Sequence, residues 1–337
     1  MSSFKKPYIG IIANSTSPKN RDDLINELGE PKNGFFAPLK FSYADIDGGI
    51  VPLDIQPQDV LTTSGIRKAK LALEAAIDYL VSLNAKVICL AASTKRLAGR
   101  SGRSLKKKYP EVTFTIGDNA TAISFKNLIM ESLSLLNFDK EKDTAFILGS
   151  GFLGTEATKF LQKIKCRNLI VLSEFYQPNF RDLTLIKSLK EVDKKIKLML
   201  SCTHKHNLAP GSLGFLEKEA VIIDVAVPPG VGIDLYQSLN SGISRFDGGD
   251  FFLRKINYDF CPGIMSIPAK EIWYGCFVEA IMLTLAGMEN DLSSFNFFEI
   301  NQENEDLLLK YLRREKVLIP IVNFFSDIKN DFALLSL

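Results

Sequence analysis

The stretch from Thr144 to Gly154, TAFILGSGFLG, constrains the fold more than any other part of the chain. Thr144 to Leu148 is a short apolar run, as expected of a buried parallel strand. Gly149, Gly151 and Gly154 then spell G-x-G-x-x-G. Thr155 to Lys165 has helical spacing, with Ala157, Phe160, Leu161 and Ile164 on one face, and a second apolar run follows from Asn168 to Leu172. In a strand–turn–helix–strand context the glycines have separate tasks. Gly149 permits the turn, Gly151 lets a pyrophosphate approach the backbone, and Gly154 lets helix and strand pack closely. Gly149, Ser150, Gly151, Phe152, Leu153 and Gly154 are therefore expected to line a dinucleotide site, with the helix N-terminus offering N–H groups to the phosphates.

The acidic residue that completes such a site is expected at the tip of the second strand. Glu174 lies 25 residues after Gly149 and can accept the ribose hydroxyls, or it can be an exposed loop residue. A carboxylate there repels a 2′-phosphate and favours NADH over NADPH. The third apolar run, Leu198 to Cys202, ends in Thr203-His204-Lys205-His206. These are the only two histidines. No third ligand accompanies them, so no metal is expected. His204 or His206 is a proton-donor candidate or a surface histidine.

With 337 residues the chain is long enough for two domains or three. A net charge of +2 gives no nucleic-acid signature. Five scattered cysteines argue for a reducing compartment, and no signal peptide or bilayer-length apolar run is seen, so a cytoplasmic protein is expected. The fold class is α/β: a doubly wound (Rossmann) parallel-sheet domain over 118–262, flanked by an N-terminal α/β region, 1–117, and a C-terminal helical region, 263–337.

Before the glycine motif, Tyr8 to Ala13 and Lys86 to Ala91 read as strands. A helix of about ten residues runs from Lys19 to Leu28, closed by Gly29. Phe35 to Leu53 suggests a hairpin turning at Asp47-Gly48-Gly49. Ile66 to Leu83 reads as an amphipathic helix with Leu71, Ala75, Ile77, Leu80 and Val81 as its buried stripe. Seven basic residues and no acid follow between Ser93 and Lys108: Lys95, Arg96, Arg100, Arg103, Lys106, Lys107 and Lys108. They are a solvated face, or a docking patch for an anionic partner such as coenzyme A phosphates or an acidic carrier protein. Val112 to Ile116 is a strand, and Gly117-Asp118-Asn119 caps a helix from Ala120 to Leu135. Farther on, Ala220 to Val227 is a buried strand and Arg245 to Gly249 reads as a tight turn.

Pro268 to Met288 gives the longest helical signal. Cys276 falls near the middle of its apolar face, with Glu279 one turn on. Cys276 is either a small buried hydrophobe or a nucleophile able to take an acyl group from a thioester. At mid-helix it gains little from the helix dipole.

Taken together these pieces resemble the cyanobacterial long-chain acyl-[acyl-carrier-protein] reductases. The resemblance rests on the opening YIGIIANSTS, on GDNATA at 117–122, on Gly149 to Gly154, on Asn296 to Glu305, and most specifically on CFVEAIML at 276–283. It implies transfer of an acyl group from an acyl carrier protein or coenzyme A thioester to Cys276, then reduction by NADPH or NADH to a fatty aldehyde. A downstream aldehyde-consuming enzyme would be a further partner. Glu174 stands where that family carries an arginine, and 228–262 matches it poorly. The alternatives are an NAD(P)-dependent alcohol or keto-acid dehydrogenase without an acyl-enzyme, and a non-catalytic dinucleotide-sensing protein.

Overall fold

A computed structural model describes residues 6–15, 17–56, 58–59, 62–99, 102–173, 182–203, 208–265, 271–325 and 333–337. In chain order the first elements are β1 (Tyr8–Asn14), α1 (Pro18–Leu28), β2 (Leu39–Tyr43), β3 (Ile46–Leu53), α2 (Thr63–Ser82) and β4 (Ala85–Leu90). Next come α3 (Arg103–Lys108), β5 (Thr113–Thr115), α4 (Asp118–Leu135), β6 (Thr144–Leu148), α5 (Phe152–Lys163), β7 (Asn168–Leu172) and β8 (Thr184–Ile186). They are followed by β9 (Ile196–Ser201), β10 (Leu216–Asp224), α6 (Ile233–Gln237), β11 (Ser244–Asp247), β12 (Asp250–Phe252) and β13 (Ile256–Tyr258). The chain closes with β14 (Ile272–Tyr274), α7 (Gly275–Met288), α8 (Gln302–Arg314), β15 (Leu318–Ile321) and β16 (Ala333–Ser336).

The chain forms two compact units, 1–120 with 251–318, and 121–250 with 319–336. Residues 263–337 do not stand apart as a third region, because 263–318 fold with the N-terminal residues. The cause lies in α7. Val278, Ala280, Ile281, Met282 and Leu283 are all buried, so the helix is apolar on every side and must be surrounded by protein.

The first unit is built on a six-stranded sheet in the order β13-β2-β3-β1-β4-β5. The pairs β3–β1, β1–β4 and β4–β5 are parallel, while β2 pairs antiparallel with β3 and β13. The β2–β3 hairpin turns at Ala44-Asp45, where Ala44 has φ 50°, and not at Asp47-Gly48-Gly49, which lie within β3. Gly48 is needed there for space, since a Cβ would lie 2.4 Å from the Phe41 ring. Ser17 caps α1 by accepting the Asn20 N–H at 3.1 Å, and Pro18 takes the first turn. Helix α2 buries Ala69, Ala72, Leu73, Ala76, Ile77 and Leu80. The expected stripe was thus displaced: Leu71 and Val81 face outward. Small alanines set the buried face because the helix lies close on the sheet.

The second unit holds a wholly parallel sheet in the order β11-β10-β9-β6-β7-β8. The strand order reverses between β6 and β9, which is the doubly wound arrangement of dinucleotide-binding folds. The fold class is therefore α/β with a Rossmann sheet. Arg245 to Asp247, read as a tight turn, belong instead to the edge strand β11, with Arg245 fully buried. A charged residue in a strand masks the apolar signal by which strands are read.

Candidate functional site

The β6–α5 turn of the second unit has the geometry its glycines imply. Gly149 has φ 99° and its N–H donates to the Leu172 carbonyl at 3.0 Å. Gly154 is buried, and a Cβ on it would fall 1.9 Å from the Gly149 carbonyl oxygen. Gly151 differs from both. It is exposed, stands at the N-cap of α5 with no side-chain cap bond, and a Cβ added to it would meet nothing within 4 Å. Gly151 therefore leaves open space at the start of α5, where such turns receive a pyrophosphate. The Ser150 and Ser173 hydroxyls share a hydrogen bond, which ties the turn to the end of β7. Phe152 is exposed and Leu153 half-buried. Glu174 and His204, with His206, lie outside the described residues.

Beneath this turn Cys202 is half-buried, and desolvation of its thiol, with Asp224 nearby, pushes the thiol up. Asp224, at the end of β10, is fully buried and accepts N–H groups from Ala226 at 3.1 Å, Gly230 at 3.3 Å and Val231 at 2.7 Å. Arg245 lies 3.5 Å from Asp224, donates to Asp247 at 2.7 Å, and is stacked 4.2 Å from the Phe325 ring. Burial raises the Asp224 carboxyl and the Arg245 charge pulls it back.

The first unit brings a second set of reactive groups together around Cys276. The predicted helix from Pro268 is shorter than its periodicity suggests. Residues 266–270 lie outside the described part, Ile272–Tyr274 is strand β14, and α7 begins only at Gly275. Cys276 is thus the second residue of the helix and not a mid-helix residue. There the positive end of the helix dipole and the unbonded N–H groups of the first turn favour an anion. Its side chain is partly exposed.

Gly117, with φ 76°, packs against this turn. A Cβ on it would fall 2.1 Å from Cys276 Cβ and 2.3 Å from its Cα. The Gly117 N–H donates to Thr115 Oγ1 at 3.1 Å, and Thr115 Oγ1 in turn donates to Glu279 Oε1. The Ala120 N–H donates to Glu279 Oε2 at 2.7 Å. Glu279 therefore caps α4 from another helix and pins residues 115–120 beside Cys276. Its carboxyl is fully buried, and burial pushes it up to about 7 against the bonds from Thr115 and Ala120. Cys89 pairs in register with Thr115 across β4–β5, and its thiol lies close enough to Cys276 to interact with it electrostatically. Burial first, and then the Cys276 contact, hold the Cys89 thiol well above its ordinary range. Cys89 is not legible in the sequence as a neighbour of Cys276, because only the strand register brings it there.

The basic segment does not act as one patch. Lys95 Nζ is 2.9 Å from both oxygens of Asp118, which is buried at the start of α4. Lys108 pairs with the exposed Glu74 at 2.9 Å. Arg96, Arg103, Lys106 and Lys107 are exposed, and Arg100 lies outside the described residues.

No protein-family model and no curated protein matches the chain. Among solved structures, the NAD-dependent malic enzyme of Thermotoga maritima is similar at 14% identity over 92% of this chain and 84% of that one, with a TM-score of 0.44. Shikimate dehydrogenase of Aquifex aeolicus is similar at 12% identity over 93% of this chain and 100% of that one, with a TM-score of 0.40. Shikimate dehydrogenase 1 of Peptoclostridium difficile is similar at 13% identity over 91% and 99%, with a TM-score of 0.42. These are distant likenesses of fold. Among the described residues no helix is long and apolar enough to cross a membrane.

Proposed function

We propose that the chain is an NAD(P)H-dependent oxidoreductase acting on a carbonyl carbon. The observation that carries this is the open space at Gly151, at the start of α5 and at the strand-order reversal of a doubly wound sheet. The backbone of Ser150, Gly151 and Phe152 would hold the pyrophosphate, and Gly154 keeps helix and strand close enough to present it. The reduced nicotinamide, when bound, supplies a hydride.

Within that class we favour reduction of an acyl thioester. The Cys276 sulfur attacks the thioester carbonyl, the carrier thiol leaves with a proton, and the acyl-cysteine is reduced to an aldehyde that frees Cys276. Three features support this reading: the first-turn position of Cys276, its partial exposure, and the glycine at 117 that lets the backbone before α4 pack directly against it. The family resemblance around 276–283 points the same way. An acidic carrier protein docking on Arg96, Arg103, Lys106 and Lys107 belongs to this reading.

A second reading is an alcohol or keto-acid dehydrogenase without an acyl-enzyme. It is favoured by the fixed Lys95–Asp118 pair, which gives the same site a proton donor that does not involve Cys276.

Oxidation of NADH and NADPH is measured with acyl-carrier-protein thioesters, acyl-coenzyme A thioesters and keto acids, for the wild type and Cys276→Ser. Aldehyde release from a thioester, lost in the variant, is the expected result. Keto-acid turnover that survives the substitution would instead select the dehydrogenase. Dinucleotide binding without turnover of any substrate would leave a sensing protein. The preferred cofactor tests Glu174.

A further inference from the structure

Among the described residues of the basic segment, Lys95 is the one tied to a buried carboxylate. Its side chain is 28% exposed while that of Asp118 is 6% exposed. Asp118 stands in the first turn of α4, where the helix dipole also favours its charge. The pair is partly buried, so Lys95 also contributes to the fold. The pair also provides a fixed ammonium. The backbone that delivers it is fixed as well: the Ser93 N–H donates to Asn14 Oδ1 at 2.9 Å, and the Thr94 hydroxyl donates to the Ala91 carbonyl at 2.6 Å.

The place it occupies is the surroundings of Cys276. Gly117, the residue before Asp118, touches Cys276, and Ala120, two residues after it, is bonded to Glu279 one turn along α7. Lys95 follows β4, six residues after Cys89, whose thiol interacts electrostatically with Cys276. The carboxylate that holds Lys95 also acts electrostatically on both Cys89 and Glu279. One cation, partly open to a ligand, is thereby held among the groups that surround the candidate nucleophile.

We propose that Lys95 is a catalytic residue whose ammonium faces the oxygen of a carbonyl bound at Cys276, and that Asp118 is its positioning residue. The chemistry rests on the oxidoreductase reading; the placement does not. When hydride adds to the carbonyl carbon, the C=O π pair moves onto oxygen, which takes a proton from Lys95 Nζ. On an acyl-cysteine the hydroxyl proton then returns to Lys95 as C=O re-forms, and the C–S bond breaks with its electron pair leaving on Cys276 sulfur. On a ketone the proton stays with the alcohol, and water reprotonates Lys95.

The test compares alkylation of Cys276 by iodoacetate and by iodoacetamide in the full chain, read by peptide mass mapping. The two reagents share a leaving group and differ by one carboxylate, so their rate ratio reports a cation facing the sulfur. Lys95→Met should lower the iodoacetate-to-iodoacetamide ratio about tenfold, as expected for loss of a charge at close range. Lys95→Arg should keep the ratio, Asp118→Asn should lower it in part, and the exposed Lys68→Met should leave it unchanged. An equal ratio in wild type and Lys95→Met would overturn the proposal, as would failure of both reagents to reach Cys276. The same variants are then assayed for NAD(P)H oxidation with the substrate panel. Lys95→Met should lower kcat and alter its pH profile without changing dinucleotide KM, with partial rescue in Lys95→Arg. Wild-type kcat in Lys95→Met would refute the acid role. A charge effect on alkylation in a protein that turns over nothing would refute the oxidoreductase reading alone.

Discussion

Two glycines of the first unit provide a controlled measurement of how tightly the Cys276 turn is packed. Gly99 and Gly117 share a positive φ, 74° and 76°. Alanine at either position carries the strain of a positive φ, roughly 1–3 kcal/mol, offset by about 0.4–1 kcal/mol from the stiffer unfolded chain. At Gly99 nothing lies within 4 Å of the new methyl group, so that difference is the whole effect. At Gly117 the methyl would fall 2.3 Å from the Cα of Cys276, an atom that cannot rotate away. Overpacking of this kind adds about 1–3 kcal/mol. Gly117→Ala should therefore be less stable than Gly99→Ala by about 2 kcal/mol, or roughly 4–8 °C in Tm for a unit of 150–250 residues. Scanning calorimetry on both variants gives the number. Equal Tm values would mean that residue 117 is not against Cys276, and the site as described would be wrong.

Gly151→Ala should cost under about 1 kcal/mol of stability but weaken dinucleotide binding about tenfold or more, because its methyl occupies open space that a phosphate needs; fluorescence titration with NADH and NADPH decides, and unchanged affinity would place the cofactor elsewhere. Glu279 has its carboxyl raised from the usual 4.5 to about 7, so the folded chain binds this proton more tightly than the unfolded one. Its contribution is present in full below about pH 4.5 and is lost as pH rises through about 7, a change of about 3 kcal/mol. Glu279→Gln should flatten this part of the stability–pH curve, and denaturant midpoints at pH 5 and pH 8 that still differ by the wild-type amount would contradict the assignment. Asp224→Asn leaves the fully buried Arg245 with less counter-charge and should destabilise the second unit by about 3 kcal/mol. Urea unfolding measures this, and a neutral result would mean that Asp247 alone balances Arg245.

The dinucleotide turn was legible because its requirements are local. Three glycines at fixed spacing between a strand and a helix describe one backbone path, and Gly149, Gly151 and Gly154 follow it. The strand order was not legible, since no residue in β6 or β9 records which strand lies beside it. Ile272, Trp273 and Tyr274 fit the helical period of the residues after them, so periodicity alone starts the helix too early and places Cys276 near its middle. These β-branched and aromatic types suit a strand equally well, and only the sheet decides. The position of Cys276 in the first turn of α7 is therefore visible only in the fold. Lys95 was grouped with its basic neighbours because charge density is visible in a sequence, whereas a pairing with Asp118 across 23 residues is not.

The first unit is discontinuous, and this has a consequence for synthesis. Strands β6 to β11, which make the whole parallel sheet, are contiguous between residues 144 and 247. A ribosome releases them before it has made α7, so the nucleotide-binding sheet can form while the N-terminal sheet still lacks the helix that covers it. Until that helix is made, the surface formed by β1 and β4 is exposed, with Cys89 on it and no Cys276 beside it. Nascent chains halted near residue 260 should therefore be held by chaperones through their N-terminal part, and Cys276 comes into position beside Cys89 only as one of the last steps of assembly.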